Sequence, residues 1–102
     1  MIWADVTSYS QGERGKKPQT AFQSIVSGTL VWVSCGHRYY PNEWVFNCRE
    51  LGILEKRIAP VDGMTPPEAC AAAIEACWHQ AKAMALRSEV LADKFYAEMG
   101  EA

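Results

Sequence analysis

Hydrophobic and polar residues are arranged in two different ways along this chain. Up to about residue 60 they come in short runs separated by turn residues; beyond residue 65 they recur at helical spacing. Residues 2–9 (IWADVTSY) partly alternate among β-forming types and predict a strand, and the polar tract SQGERGKKPQT predicts a solvated loop after it. The stretch AFQSIVSGTLVWVSC is interrupted by Ser27-Gly28, so Phe22 to Val26 and Thr29 to Cys35 are expected to form two strands about a tight turn. In the second, Leu30, Trp32 and Ser34 fall on one face and Val31, Val33 and Cys35 on the other. Both faces are apolar near the middle, which predicts a central strand, or one with both faces covered. Gly36, Pro41 and Asn42 mark the loop GHRYYPN, and Trp44 to Cys48 is the expected return strand. Leu51 to Ile58 (LGILEKRI) suits a further edge strand, guarded against mispairing by Lys56 and Arg57 and ended by Pro60.

The last third is helical in pattern. Thr65-Pro66-Pro67-Glu68 is a capping-box signature: the Thr hydroxyl can accept from an N-terminal amide, Glu68 can reach back to the cap, and proline suits the first helical position. From Glu68 to Met99 there is no glycine or proline and alanine is frequent; Gly100 supplies the stop. At 100° per residue, Cys70, Ile74, Cys77, Ala81, Met84, Ser88, Leu91 and Phe95 form one stripe, flanked by Ala73, Trp78, Ala85 and Ala92. Its N-terminal half is rich in small residues, which allow a helix to lie close on a sheet. The expected architecture is a single α+β domain over 1–102. An antiparallel meander of four to five strands in 1–60 is packed by one long C-terminal helix over 65–99.

Length and composition fit that picture. The chain has 102 residues, enough for one modest core and no second, and its 49% hydrophobic and 22% charged content is that of a folded domain rather than a disordered one. The formal net charge of −2 gives no global pull toward nucleic acid or an anionic membrane. No apolar run reaches bilayer-spanning length, and the N-terminus shows no secretory pattern, so the cytoplasm is the expected compartment and the four cysteines are expected as thiols.

Chemistry is concentrated in CGHRYYPNEW (35–44), yet the spacings argue against catalysis. Cys35, His37, Cys48, Cys70, Cys77 and His79 are of zinc-ligand type, but there is no C-x₂₋₄-C knuckle and no H-x₃₋₅-H pair, and His79 falls opposite the stripe that carries Cys70 and Cys77. Cys70 and Cys77 are expected as small core residues. Cys35 and His37 could share a strand face, but no helix N-terminus or oxyanion hole accompanies them. Glu43, Glu50 and Glu55 sit among solvent-like neighbours. The run G-x-x-G-K-K at 12–17 lacks P-loop spacing and opens no helix. The expectation is therefore no enzyme, no cofactor and no metal.

Two binding readings remain. Arg14, Lys16, Lys17, Arg38, Lys56 and Arg57, with Trp3, Tyr39, Tyr40 and Trp44 for stacking, are possible nucleic-acid contacts. Against them stand the acidic balance and the absence of an RNA-binding sequence motif. The amphipathic mixture Arg38, Tyr39, Tyr40 and Trp44 is the kind enriched at protein interfaces, and makes this hairpin tip the expected partner-binding site. The helix adds a second surface. An unbroken helix from Pro66 to Met99 would run roughly 50 Å, whereas strands of five to seven residues cover about 17–24 Å. Its outer half is expected to project, with Met84, Leu91, Phe95 and Met99 on the stripe and Leu86 and Val90 opposite. A homodimer is expected in which segment 84–99 packs against its counterpart or the neighbouring sheet.

The pattern W-x-D-V-T-S-Y-S-Q at 3–11, then V-x-V-S-C-G-H-x-Y-Y-P-x-x-W-V at 31–45, C-x-x-L-G-I at 48–53 and an alanine-rich C-terminal helix resembles a group of small uncharacterised proteins encoded in bacteriophages and prophages. The resemblance implies a setting rather than a chemistry: an accessory protein or inhibitor that acts in a bacterial host by contacting a host or defence complex. It carries over no functional residue.

Overall fold

A computed structural model describes residues 2–10, 12, 15–16, 18–36, 43–58 and 64–100. Five antiparallel strands pair in sequence order: β1 (Ala4–Asp5), β2 (Ala21–Val26), β3 (Thr29–Cys35), β4 (Trp44–Cys48) and β5 (Ile53–Arg57). One helix, α1 (Pro66–Gly100), follows. The meander and the long helix are as the sequence predicts.

The β2–β3 hairpin turns on Ser27 (φ 49°) and Gly28 (φ 80°). Two successive left-handed residues form the primed turn that matches the twist of paired strands. The register sets Phe22, Val33 and Phe46 side by side across β2, β3 and β4, and Ser24 beside Val31. This face, with Cys48, Ile53 and Ile58, is one side of the core. The other side is α1. Its buried residues are Ala69, Cys70, Ala73 and Cys77, four small side chains on one face of the first three turns. With Ala69 and Ala73 wholly inaccessible, the helix backbone lies close on the sheet. The capping box forms as the sequence predicts: the Thr65 amide and hydroxyl donate to Glu68 Oε1 at 3.2 and 2.8 Å, and the Glu68 amide donates to Thr65 Oγ1 at 3.4 Å.

Two expectations need correction. The first strand is two residues long instead of spanning 2–9. The ladder ends because the Thr7 hydroxyl takes the amides of Thr20 and Ala21, at 2.9 and 3.0 Å, in place of a backbone carbonyl. The last strand starts at Ile53, because a 3₁₀ turn (Arg49–Leu51) closed by Gly52 at φ 70° separates it from β4. β5 then carries one extra residue between its pairings with Cys48 and Phe46. That bulge places Glu55 at φ 46°, and its amide donates to Asn47 Oδ1 at 2.7 Å. The strand β3 is central, as its apolar middle predicts. Its face away from α1 is uneven: Leu30 is 46% exposed, whereas Val45, on the same face of β4, is 1% exposed.

The last buried residue of α1 is Cys77, and Gln80 Nε2 donates to the carbonyl of Leu51 in the 3₁₀ turn at 3.4 Å. Beyond Gln80 no described residue is buried, and among them Met84 alone is partly covered. A 35-residue helix is about 52 Å long, which makes the molecule 68 × 26 × 23 Å with a radius of gyration of 18.1 Å. A compact chain of about 100 residues would have about 13 Å.

Candidate interaction surfaces

The outer part of α1, from Ala81 to Gly100, carries Leu86, Val90, Leu91, Phe95, Tyr96 and Met99, each between 47% and 77% exposed. The stripe formed by Met84, Leu91 and Phe95 continues the face that Cys70, Ala73 and Cys77 bury against the sheet. In the inner half that face has a partner; in the outer half it points past the sheet edge. Leu86 and Val90 lie on the far side of the same segment. All five residues expected at a dimer interface thus lie on the projecting segment.

Beside the docked half of α1 lies an apolar groove of about 690 Å³. Its floor is Trp3 and Phe22 from the β1–β2 edge, and its wall is Pro67, Cys70, Ile74 and Trp78 from α1. Trp78 is 55% exposed. Lys82 Nζ lies 4.6 Å from its ring centroid, a cation–π contact, and the His79 ring meets its edge at 4.7 Å. Ile74 and Trp78 also line a second hollow, of about 420 Å³, with Val31, Cys48 and Cys77. Apolar surface therefore continues along this flank of the helix. The open face of the sheet forms a further hollow of about 720 Å³, with Leu30, Trp32 and Leu54 inside and Asn47, Arg49 and Glu55 at the rim.

Of the expected tip residues, Arg38, Tyr39 and Tyr40 lie outside the described residues, as does His37. Trp44 pairs with Cys35 at the strand ends as expected. It is half-buried and packs against the core, its ring centroid 6.3 Å from that of Phe22, so it supports the sheet as well as bordering the tip. Arg14 and Lys17 also lie outside the described residues. Lys16 is exposed in the loop before β2. On β5, Lys56 and Arg57 alternate across the strand, and Arg57 pairs with Glu43 at 3.3 Å. Lys16 precedes β2, whereas Arg57 ends β5, three strands away in the sheet order.

The sequence reading missed a polar node at the start of the chain. The Asp5 carboxylate accepts from the Thr7 hydroxyl (2.6 Å), the Tyr9 hydroxyl (2.7 Å), the Thr7 amide (3.0 Å) and Gln19 Nε2 (3.1 Å). These donors, the Thr7 hydroxyl foremost, hold its pKa at about 2 against an ordinary 3.8. A carboxylate depressed in the fold contributes stability in full above its unfolded pKa and loses it as pH falls toward the folded one. Asp5→Asn is therefore expected to lower the melting temperature at pH 7, and the gap to wild type should close between pH 4 and pH 2. Thermal melts across that window check this; a constant gap would contradict it.

The thiols sort by burial. Cys48, Cys70 and Cys77 are buried and Cys35 is partly exposed; all four are free. Burial raises the Cys70 pKa, and burial together with the neighbouring Cys48 thiol pushes Cys77 up to about 11. Since the thiolate is the reactive form, an aromatic disulfide reagent at pH 8 is expected to modify Cys35 first and Cys70 and Cys77 only on unfolding. Prompt reaction of all four in the native protein would contradict it. Among the described residues no three His, Cys, Asp or Glu side chains are placed to hold a metal ion, and no helix is long and apolar enough to cross a membrane.

Comparison with known protein families, with curated proteins and with solved structures finds no match.

Proposed function

We propose that the protein is a non-enzymatic binding module that works by protein–protein contact and assembles as a homodimer through the outer half of α1. The observation that carries this reading is the apolar stripe on the outer half of α1, where Leu91 and Phe95 are 53% and 63% exposed. A single exposed leucine is ordinary, but a contiguous exposed apolar run along one helix is the mark of an interface. A two-fold dimer is the simplest arrangement in which one patch covers itself. On this reading the further partner is a host or defence complex in a bacterial cell, which the protein would serve as an accessory factor or inhibitor, in line with the resemblance to phage-encoded proteins. The hairpin tip with Arg38, Tyr39, Tyr40 and Trp44 is the second proposed contact.

Nucleic acid has less support, because Lys56 and Arg57 point to opposite sides of an edge strand and Arg57 is already paired. A gel shift with random DNA and RNA is expected to show no steep salt dependence. Sedimentation at micromolar concentration tests the main reading. Twice the chain mass of 11.4 kDa supports it, and a single-chain mass throughout overturns it.

A further inference from the structure

Resting on the homodimer reading, we propose where the projecting helix goes: the outer half of α1 from one copy lies antiparallel in the apolar groove beside the inner half of α1 in the other. Three observations lead there. The groove follows the helix, since Pro67, Cys70, Ile74 and Trp78 succeed one another along three turns, about 17 Å. Its natural occupant is an elongated apolar body parallel to α1, which is a helix. Second, the outer stripe of Met84, Leu91 and Phe95 is the continuation of the face that the inner half packs on a sheet. In a second copy, the groove floor of Trp3 and Phe22 offers that face a sheet edge of the same apolar character.

Third, the symmetry closes. A two-fold axis normal to the sheet and passing near residue 83, the middle of Pro66–Gly100, sets residue i beside about 166−i of the partner helix. Phe95 then comes beside the Cys70–Ile74 turn and Leu91 beside the Ile74–Trp78 turn, and both stripes face the sheets. The flanks that meet between the helices set Ala85 beside Ala81, Ser88 beside Trp78 and Ala92 beside Ile74. Small residues facing larger ones there let two helices approach to about 8–10 Å. Each copy gives one stripe and receives one, so the contact is made twice, toward the roughly 800 Å² per partner of a stable interface.

The test uses Ala71→Glu and Trp78→Glu, both at exposed positions of the inner half, with circular dichroism to show that each remains folded. Each is expected to weaken dimerisation by at least about thirtyfold in sedimentation equilibrium, the loss typical of a central interface residue. In a Cys35→Ser background, spin labels at Ala83 should lie close together across the axis. Labels at Ala97 should lie about 40 Å apart, from two stretches of 14 residues at 1.5 Å each. Folded groove variants that dimerise like wild type, or a short Ala97 distance, overturn the groove assignment and leave the homodimer standing. A wild-type chain that sediments as a monomer overturns both.

Discussion

Thr7→Val is expected to destabilise the fold by about 2–4 kcal/mol, although it preserves the shape of the side chain. The Thr7 side chain is buried, and its hydroxyl serves three partners. It donates to Asp5 Oδ1 at 2.6 Å and accepts the amides of Thr20 and Ala21 at 2.9 and 3.0 Å. Valine would leave two backbone donors without an acceptor where water cannot easily replace it, and each such orphan costs about 1–3 kcal/mol. The damage should spread to β1, because the Val6 amide donates to the Ala21 carbonyl and Asp5 loses its shortest donor. Thr7→Ser keeps the hydroxyl and should retain most of the stability. Urea denaturation of the three proteins separates these outcomes. A valine variant within 0.5 kcal/mol of wild type, the range of an ordinary surface substitution, would mean that the two amides find other acceptors.

The features visible in the sequence are those whose signal and effect lie a few residues apart. Ser27-Gly28 specifies its turn, Thr65 and Glu68 specify their cap, and an uninterrupted alanine-rich run specifies α1. The Asp5–Thr7–Tyr9 node escaped because the amides that Thr7 serves lie 13 and 14 residues further along the chain. Nothing in SQGERGKKPQT signals that Thr20 returns there. The β5 bulge escaped for a similar reason: Glu55 adopts its left-handed backbone under the support of Asn47 on the neighbouring strand. For β3, the apolar middle of both faces was enough to give it the central place that it takes between β2 and β4. The groove was out of reach altogether, since its wall and floor join Trp3 to Trp78. The projection of α1 was legible because it follows from lengths alone.

Those lengths set up the largest expected effect, on assembly. Leu91→Asp combined with Phe95→Asp should abolish the dimer at micromolar concentration while leaving the single chain folded. The two side chains are 53% and 63% exposed within one chain, so replacing them removes almost no intramolecular packing. The intrinsic cost of aspartate within a helix is at most about 0.7 kcal/mol at each position. In the dimer each side chain occurs twice. Fully burying a leucine or phenylalanine is worth about 1.5–3 kcal/mol; with little more than half of each surface left to bury, four such losses remove at least about 3 kcal/mol, more than a hundredfold in Kd. Four carboxylates brought to one interface add repulsion and desolvation on top. Leu86→Asp and Val90→Asp, on the far side of the segment, should weaken the dimer much less if the stripe is what packs. Sedimentation gives the masses, and thermal melts show whether the fold survives. A double variant that still sediments at twice the chain mass would place the dimer contact elsewhere, with the open sheet face of Leu30, Trp32 and Leu54 as the next surface to substitute. A double variant that unfolds would show instead that the outer helix is held by its own domain.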